Sequence, residues 1–289
     1  MKRNSTKILV AILAFTLLFS SCINPDVEEE TTPEVDVSDV NPSSIGSYKT
    51  MTYQYNTVVD ASILTTNLDQ AYLILVNKTH ELDISYEPAS LTTLTCETTY
   101  SMKLESRAAQ ALYAMLAEMK AAGVSDIMVT SAYRSYDKQS ETYDYWVQEE
   151  MRGGFSEDAY RVLGEEYILT NYINQKIYNL NLADARQVAQ SYSAMPGQSE
   201  HQTGLCIDFT TSSMGGELNE AFENTDAFAW LAKNAYKFGF ILRYPKGKEG
   251  ITGYTYEPWH YRFVGREVAT DIYLGEMTFE QYLQLANQK

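Results

Sequence analysis

The stretch ESRAAQALYAMLAEMKAAGVSDIMVTSAYRS, Glu105 to Ser135, decides how the chain is built. Its first half spaces Ala108, Ala111, Leu112, Met115, Leu116 and Met119 three or four residues apart, which predicts a core helix over 105–122. Met115 and Met119 are packing residues on that face. Gly123 follows as a C-cap, where the last turn wants a residue at ease in the left-handed region. From Ser125 to Ala132 the period drops to two, with Ile127 and Val129 set against Met128 and Thr130, and a short strand is expected. It ends at Tyr133-Arg134-Ser135, and 137–151 reads as helix again. Arg134 therefore stands at the end of an element, where a side chain can face a cleft.

Outward from this stretch, 157–190 is mostly helical in pattern with a break near Asn179-Leu180-Asn181, and a loop follows at Met195-Pro196-Gly197-Gln198-Ser199. A strand is expected over 205–210. An amphipathic helix follows over 226–238, closed by Gly239, and the chain resumes as strand over 240–242. Pro245 to Gly250 is a turn, 254–264 looks strand-like, and Thr278 with Gln281 has the spacing of a capping box. Helices and short strands intermix without a regular βαβ period, and no solenoid repeat is present, so the class is α+β.

With 45% hydrophobic and 21% charged residues in 289, the chain has the composition of a globular protein. Its net charge of −16 repels phosphate backbones, which argues against nucleic acid as a partner. At the N-terminus, Lys2, Arg3 and Lys7 precede an apolar run from Ile8 to Phe19, the plan of a secretory signal over 1–21 and too short to span a bilayer. Leu18-Phe19-Ser20-Ser21-Cys22 resembles the bacterial lipobox, although Phe19 departs from the usual small aliphatic residue. The resemblance implies lipidation of Cys22, a membrane anchor and an extracytoplasmic location. Residues 22–47, rich in Glu, Thr, Ser and Pro without apolar period, are expected to form an acidic flexible tether. Residues 48–68 match nothing recognisable. Beyond Cys22 only Cys96 and Cys206 remain, either a disulfide or two buried thiols.

Two of the three histidines keep unusual company. His201 lies in Ser199-Glu200-His201-Gln202-Thr203-Gly204-Leu205-Cys206-Ile207-Asp208, where Gly204 lets the chain turn and Asp208 sits on the strand that follows. His260 ends Glu257-Pro258-Trp259-His260. Two imidazoles and a carboxylate suit zinc with a fourth position left open, as catalytic sites keep it. Glu257 is a candidate general base, but Pro258 holds it extended, so a local twist must bring it and His260 to one ion. A buried structural histidine on a packed strand is the bland alternative for either motif alone. His80 reads as a surface residue.

Four blocks together, Ser131-Ala132-Tyr133-Arg134-Ser135 with Gln139, Pro196 to Asp208, Gly239 to Pro245, and Glu257 to Arg262, resemble the zinc carboxypeptidases of the VanY and VanX type, which trim the terminal D-alanine from peptidoglycan stem peptides. The resemblance covers about 73–275. It implies a single mixed catalytic domain over 69–289 with a small antiparallel sheet flanked by helices and one zinc ion in the cleft. It makes His201, Asp208 and His260 the metal ligands and Glu257 the catalytic base. Arg134 would hold the substrate's terminal carboxylate or the developing oxyanion, with Gln139 and Ser199 as neighbouring substrate contacts. A guanidinium suits that task independently, through paired charge-assisted bonds. Cys206 stands where the family usually has alanine and reads as a small buried residue beside the site. Residues of about 144–184 exceed the family's usual link and are expected to form a helical insertion. D,D- and L,D-carboxypeptidase action both fit, and a non-catalytic wall-binding lipoprotein on the same fold is the rival from another class.

Overall fold

The computed structural model describes residues 35–66 and 69–287. The expected signal segment 1–21 and Cys22 lie outside the described residues.

In chain order the elements are strands β1 (Leu91–Thr93) and β2 (Lys103–Glu105), helix α1 (Ser106–Ala121), β3 (Met128–Ser131), α2 (Tyr136–Arg152), α3 (Glu157–Leu163), α4 (Glu165–Asn171) and α5 (Leu182–Ala189). Then come β4 (Cys206–Thr210), α6 (Asp226–Asn234), β5 (Phe240–Leu242), the single turn α7 (Glu249–Thr252), β6 (His260–Phe263), α8 (Arg266–Gly275) and α9 (Phe279–Ala286). Strands β3, β4, β6 and β5 form an antiparallel sheet in that order, and β1 and β2 make a separate antiparallel pair. The α+β class and the small antiparallel sheet flanked by helices are what the structure shows.

Helix α1 buries the predicted face, with Ala108, Ala111, Leu112, Met115 and Met119 fully shielded against Val129, Ile207, Phe209 and Tyr261 of the sheet. The expected single helix over 226–238 tightens instead into a 3₁₀ turn at Ala235–Phe238, which Gly239 ends at φ +84°. A Cβ there would lie 2.7 Å from Phe263, so this crossing beside β6 requires glycine. The strand-like run 254–264 pairs only from His260 onward, because Pro258 and Trp259 form a turn closed by the His260 amide on the Glu257 carbonyl (3.2 Å). Helix α8, which the sequence reading left unassigned, packs Val268, Ala269 and Ile272 against α9 residues. At the start of α9 the capping box of Thr278 and Gln281 is formed.

Of the tether expected over 22–47, residues 22–34 lie outside the described residues, and the segment from Val35 on is docked rather than free. Val37, Val40 and Ile45 pack against the α8–α9 core, the Gly46 amide donates to Asp271 (2.6 Å), and Gln281 donates to the Asp36 carbonyl (2.7 Å). Sparse apolar residues suffice here because a ready-made groove receives them. The unassigned segment 48–68 is, over its described residues 48–66, also part of the domain, with Leu64 fully buried and Tyr55 edge-on to Phe238. Within 136–195, helices α2 to α5 enclose their own apolar cluster around Tyr143, Ile168, Tyr172 and Val188. The helical pattern expected there is interrupted at Gly164 as well as before Asn181. Cys96 and Cys206 are both free thiols.

Candidate active site

The site is assembled where the sheet meets the loop before β4. Register makes Asp208 on β4 the direct partner of His260 on β6, and it pairs Ser131 at the end of β3 with Asp208 across a bulge. The bulge re-aims the end of β3. There the Ala132 carbonyl lies 2.6 Å from His201 Nδ1, and the Arg134 amide donates to the His201 carbonyl (3.1 Å). His201 rides on a 3₁₀ turn, Glu200–Thr203, capped by Ser199 and ended by Gly204 at φ +66°, the glycine at which the sequence expects the chain to turn.

Four of the sequence-predicted residues thus meet. His201 Nε2 is 3.1 Å from Asp208 Oδ2, and His260 Nδ1 is 2.9 Å from Asp208 Oδ1 and 3.7 Å from Glu257 Oε2. The two imidazole rings stand edge to face, 5.1 Å between centroids. All four side chains are buried. Glu257 reaches His260 through the Pro258–Trp259 turn, which supplies the twist that an extended segment lacked.

This donor set fits a divalent cation. A carbonyl can only accept, so Ala132 fixes the proton of a neutral His201 on Nδ1 and turns the Nε2 lone pair toward Asp208. Asp208 Oδ1, although close to His260 Nδ1, has no hydrogen-bond partner. Lone pairs that crowd together without hydrogen-bond geometry ask for a positive charge among them. Burial, and for His201 also Arg134, opposes the charge on the imidazoles, but Cys206 and Asp208 outweigh this and raise His201 and His260. Asp208 is correspondingly held far below the usual carboxylate range, His201 and His260 overcoming its burial.

Burial pushes the Glu257 carboxyl up to about 7, with His260 opposing and Asp208 adding to the rise. A carboxyl near neutrality is poised to exchange protons. Cys206 is closer to the chemistry than a bystander needs to be. Its sulfur and one nitrogen each of His201 and His260 lie within 4.8 Å of one another, and the two imidazoles outweigh burial to bring the thiol down to about 7.

A cleft of about 480 Å³ opens onto this cluster. Arg134, Gln139 and Ser199 line it. The Arg134 Nε is buried with no hydrogen-bond partner, leaving the guanidinium available to a ligand. Gln139 donates through Nε2 to the Ala194 carbonyl (2.6 Å), and its Oε1 is unpartnered. Ser199 Oγ accepts weakly from the His201 amide at 3.4 Å. The sequence reading missed Trp146 and Glu150 of α2, Tyr192 beyond α5, and Tyr244 and Tyr254, all of which line the cleft. Only the amphipathic face of α2 hinted at Trp146 and Glu150, and no local pattern hinted at Tyr192, which lies beyond α5. Arg243 and Arg262 are fully buried behind the site.

Fold and site, taken with the relatives of this chain, define a carboxypeptidase of the peptidoglycan-acting kind. The family model of VanY, D-alanyl-D-alanine carboxypeptidase, matches residues 101–266, and the chain belongs to that family. It is 37% identical to YodJ of Bacillus subtilis (strain 168) over 217 residues, 73% of this chain and 67% of that protein. Among solved structures, the LdcB LD-carboxypeptidase is similar at a TM-score of 0.55 and 36% identity, over 72% of this chain and 84% of that one. A mutant of the vancomycin-resistance D,D-pentapeptidase VanY, in complex with Zn(II), is similar at a TM-score of 0.55 and 33% identity, over 74% and 99%.

Proposed function

We propose that this protein removes the C-terminal D-alanine from peptidoglycan stem peptides, with one zinc ion held by His201, Asp208 and His260. The observation that carries the reading is the convergence of those three buried side chains beside Glu257 at the floor of the cleft. When bound, zinc polarises the scissile carbonyl and acidifies the attacking water. Glu257 takes a proton from that water and returns it to the departing amine of D-alanine, so no net proton stays on the enzyme. Arg134 holds the substrate's terminal carboxylate, with Gln139 and Ser199, which line the same cleft, as further substrate contacts. Desolvation of the cluster strengthens each of these interactions.

The same reading includes export and a lipid anchor on Cys22, so that the catalytic domain works at the wall from the membrane surface. A Cys22→Ala variant that still fractionates with membranes would refute the anchor. The activity itself is tested with synthetic tetrapeptides and pentapeptides, with and without chelator. Zinc-dependent release of D-alanine is expected, and the preferred peptide assigns L,D or D,D action. Binding without release would favour the non-catalytic lipoprotein instead.

A further inference from the structure

Behind the metal-binding face lies a buried array of four charges. Arg243 Nε donates to Glu200 Oε1 (2.9 Å), and Arg262 Nη1 lies 2.9 Å from the same oxygen. The other two nitrogens of Arg243 donate to both oxygens of Glu280, at 2.9 and 2.6 Å. Arg262 spends its remaining donors on the carbonyls of Phe263, Tyr72 and Ile74. All four side chains are essentially inaccessible, and their formal charges cancel.

Arg243 therefore hydrogen-bonds one oxygen of Glu200, Arg262 pairs with that same oxygen by charge without a hydrogen bond, and the other oxygen is left. Glu200 Oε2 is buried without a hydrogen-bond partner, and so is His260 Nε2; the two face each other across 3.8 Å. An unpaired buried acceptor opposite an unpaired imidazole nitrogen is a costly arrangement unless the two serve each other. We propose that Glu200 is a positioning residue, whose free oxygen holds the His260 proton on Nε2 and so commits the Nδ1 lone pair to the metal. Arg243 and Arg262 together set positive charge against the other oxygen of the carboxylate. Ala132 does the mirror-image task for His201, taking the proton at Nδ1 and freeing Nε2. Partners of this kind set ligand orientation and basicity, and their loss costs about 10- to 100-fold in metal affinity. Nothing in the sequence motif singles out Glu200, since its neighbour His201 is not the histidine it serves.

The proposal rests on His260 being a ligand, and the experiment separates the two claims. Zinc affinity is measured by chelator competition on the full domain for wild type, Glu200→Gln and Glu280→Gln. Glutamine at 200 would give its oxygen to the arginines and turn an N–H toward His260 Nε2, driving the proton to the metal-facing nitrogen. A loss of about 10- to 100-fold is expected for Glu200→Gln. Glu280→Gln removes the same charge from the same array without touching a histidine, and should bind zinc as wild type does. Equal losses in both variants, or none in Glu200→Gln, would overturn the proposal. If Glu200→Gln fails to fold, long-range ¹H–¹⁵N NMR of zinc-loaded wild type decides alone: His260 must carry its proton on Nε2, and a proton on Nδ1 refutes it. Wild type that takes up no zinc would overturn the reading of the site, and this proposal with it.

Discussion

Asp208 and His260 are direct cross-strand partners on β4 and β6, and Asp208 Oδ1 sits 2.9 Å from His260 Nδ1 with no hydrogen bond between them. Opposed residues of an antiparallel pair have their Cβ atoms about 5 Å apart, so both side chains must share one space above the sheet. Replacing Asp208 with asparagine keeps the shape and removes the charge. Zinc affinity, read by chelator competition, should drop by more than about 100-fold, beyond what loss of an outer partner costs, while the far-UV spectrum of the domain stays unchanged.

Acid should compete with the metal. His201 and His260 are raised in the metal-free protein, so below those values their nitrogens carry protons that an incoming cation must displace. Zinc affinity should rise with pH and level off once both imidazoles are neutral. A flat profile across that range would mean that these nitrogens are not the ligands.

Glu257→Gln keeps size and hydrogen-bonding capacity but cannot accept the proton. Turnover on stem peptides should fall by about 10² to 10⁴, the usual worth of a general base, at undiminished zinc content. A variant that cleaves normally would remove Glu257 from the chemistry.

The buried, unpartnered Nε of Arg134 marks a guanidinium whose orientation matters. Arg134→Lys keeps the charge and loses the planar fork, and a bond between charged groups is worth about 1.5–3 kcal/mol. The kcat/KM for peptides with a free carboxylate should therefore fall roughly 10- to 150-fold. For the corresponding C-terminal amides wild type and variant should be alike, which a purely structural role for Arg134 would not produce.

Glu118 on α1 clasps the segment before the catalytic core, accepting from the amides of Asn56 (2.5 Å) and Thr57 (2.9 Å) and from the Thr57 hydroxyl (2.7 Å). Burial resists ionisation, but those donors outweigh it and hold the carboxyl below its ordinary value. A depressed folded-state pKa stabilises above the unfolded value and loses that contribution as pH falls through the folded one. Glu118→Gln should lower the melting temperature at neutral pH, and the gap to wild type should close in acid.

Much of the local structure was legible because it depends on near neighbours. The apolar period of α1, the alternation in β3, the stops at Gly204 and Gly239 and the cap at Thr278 each involve residues a few positions apart. Helix α8 was not legible, since its apolar face gains meaning only against α9 and the docked N-terminal segment. The strand expected from Tyr254 was shortened by Pro258, whose turn the periodicity of the flanking residues masked.

The sequence by itself determined the α+β class, the identity of His201, Asp208, His260 and Glu257 as candidates, and the position of Arg134 at a strand end. Residue chemistry and short-range spacing are properties of the chain alone. Tertiary structure decided that Asp208 opposes His260, that Ala132 and Glu200 face different nitrogens of the two imidazoles, that Cys206 joins their company, and that 35–47 are docked. Those facts depend on strand register and on which buried groups find one another across the core, and no local pattern encodes a partner so distant along the chain.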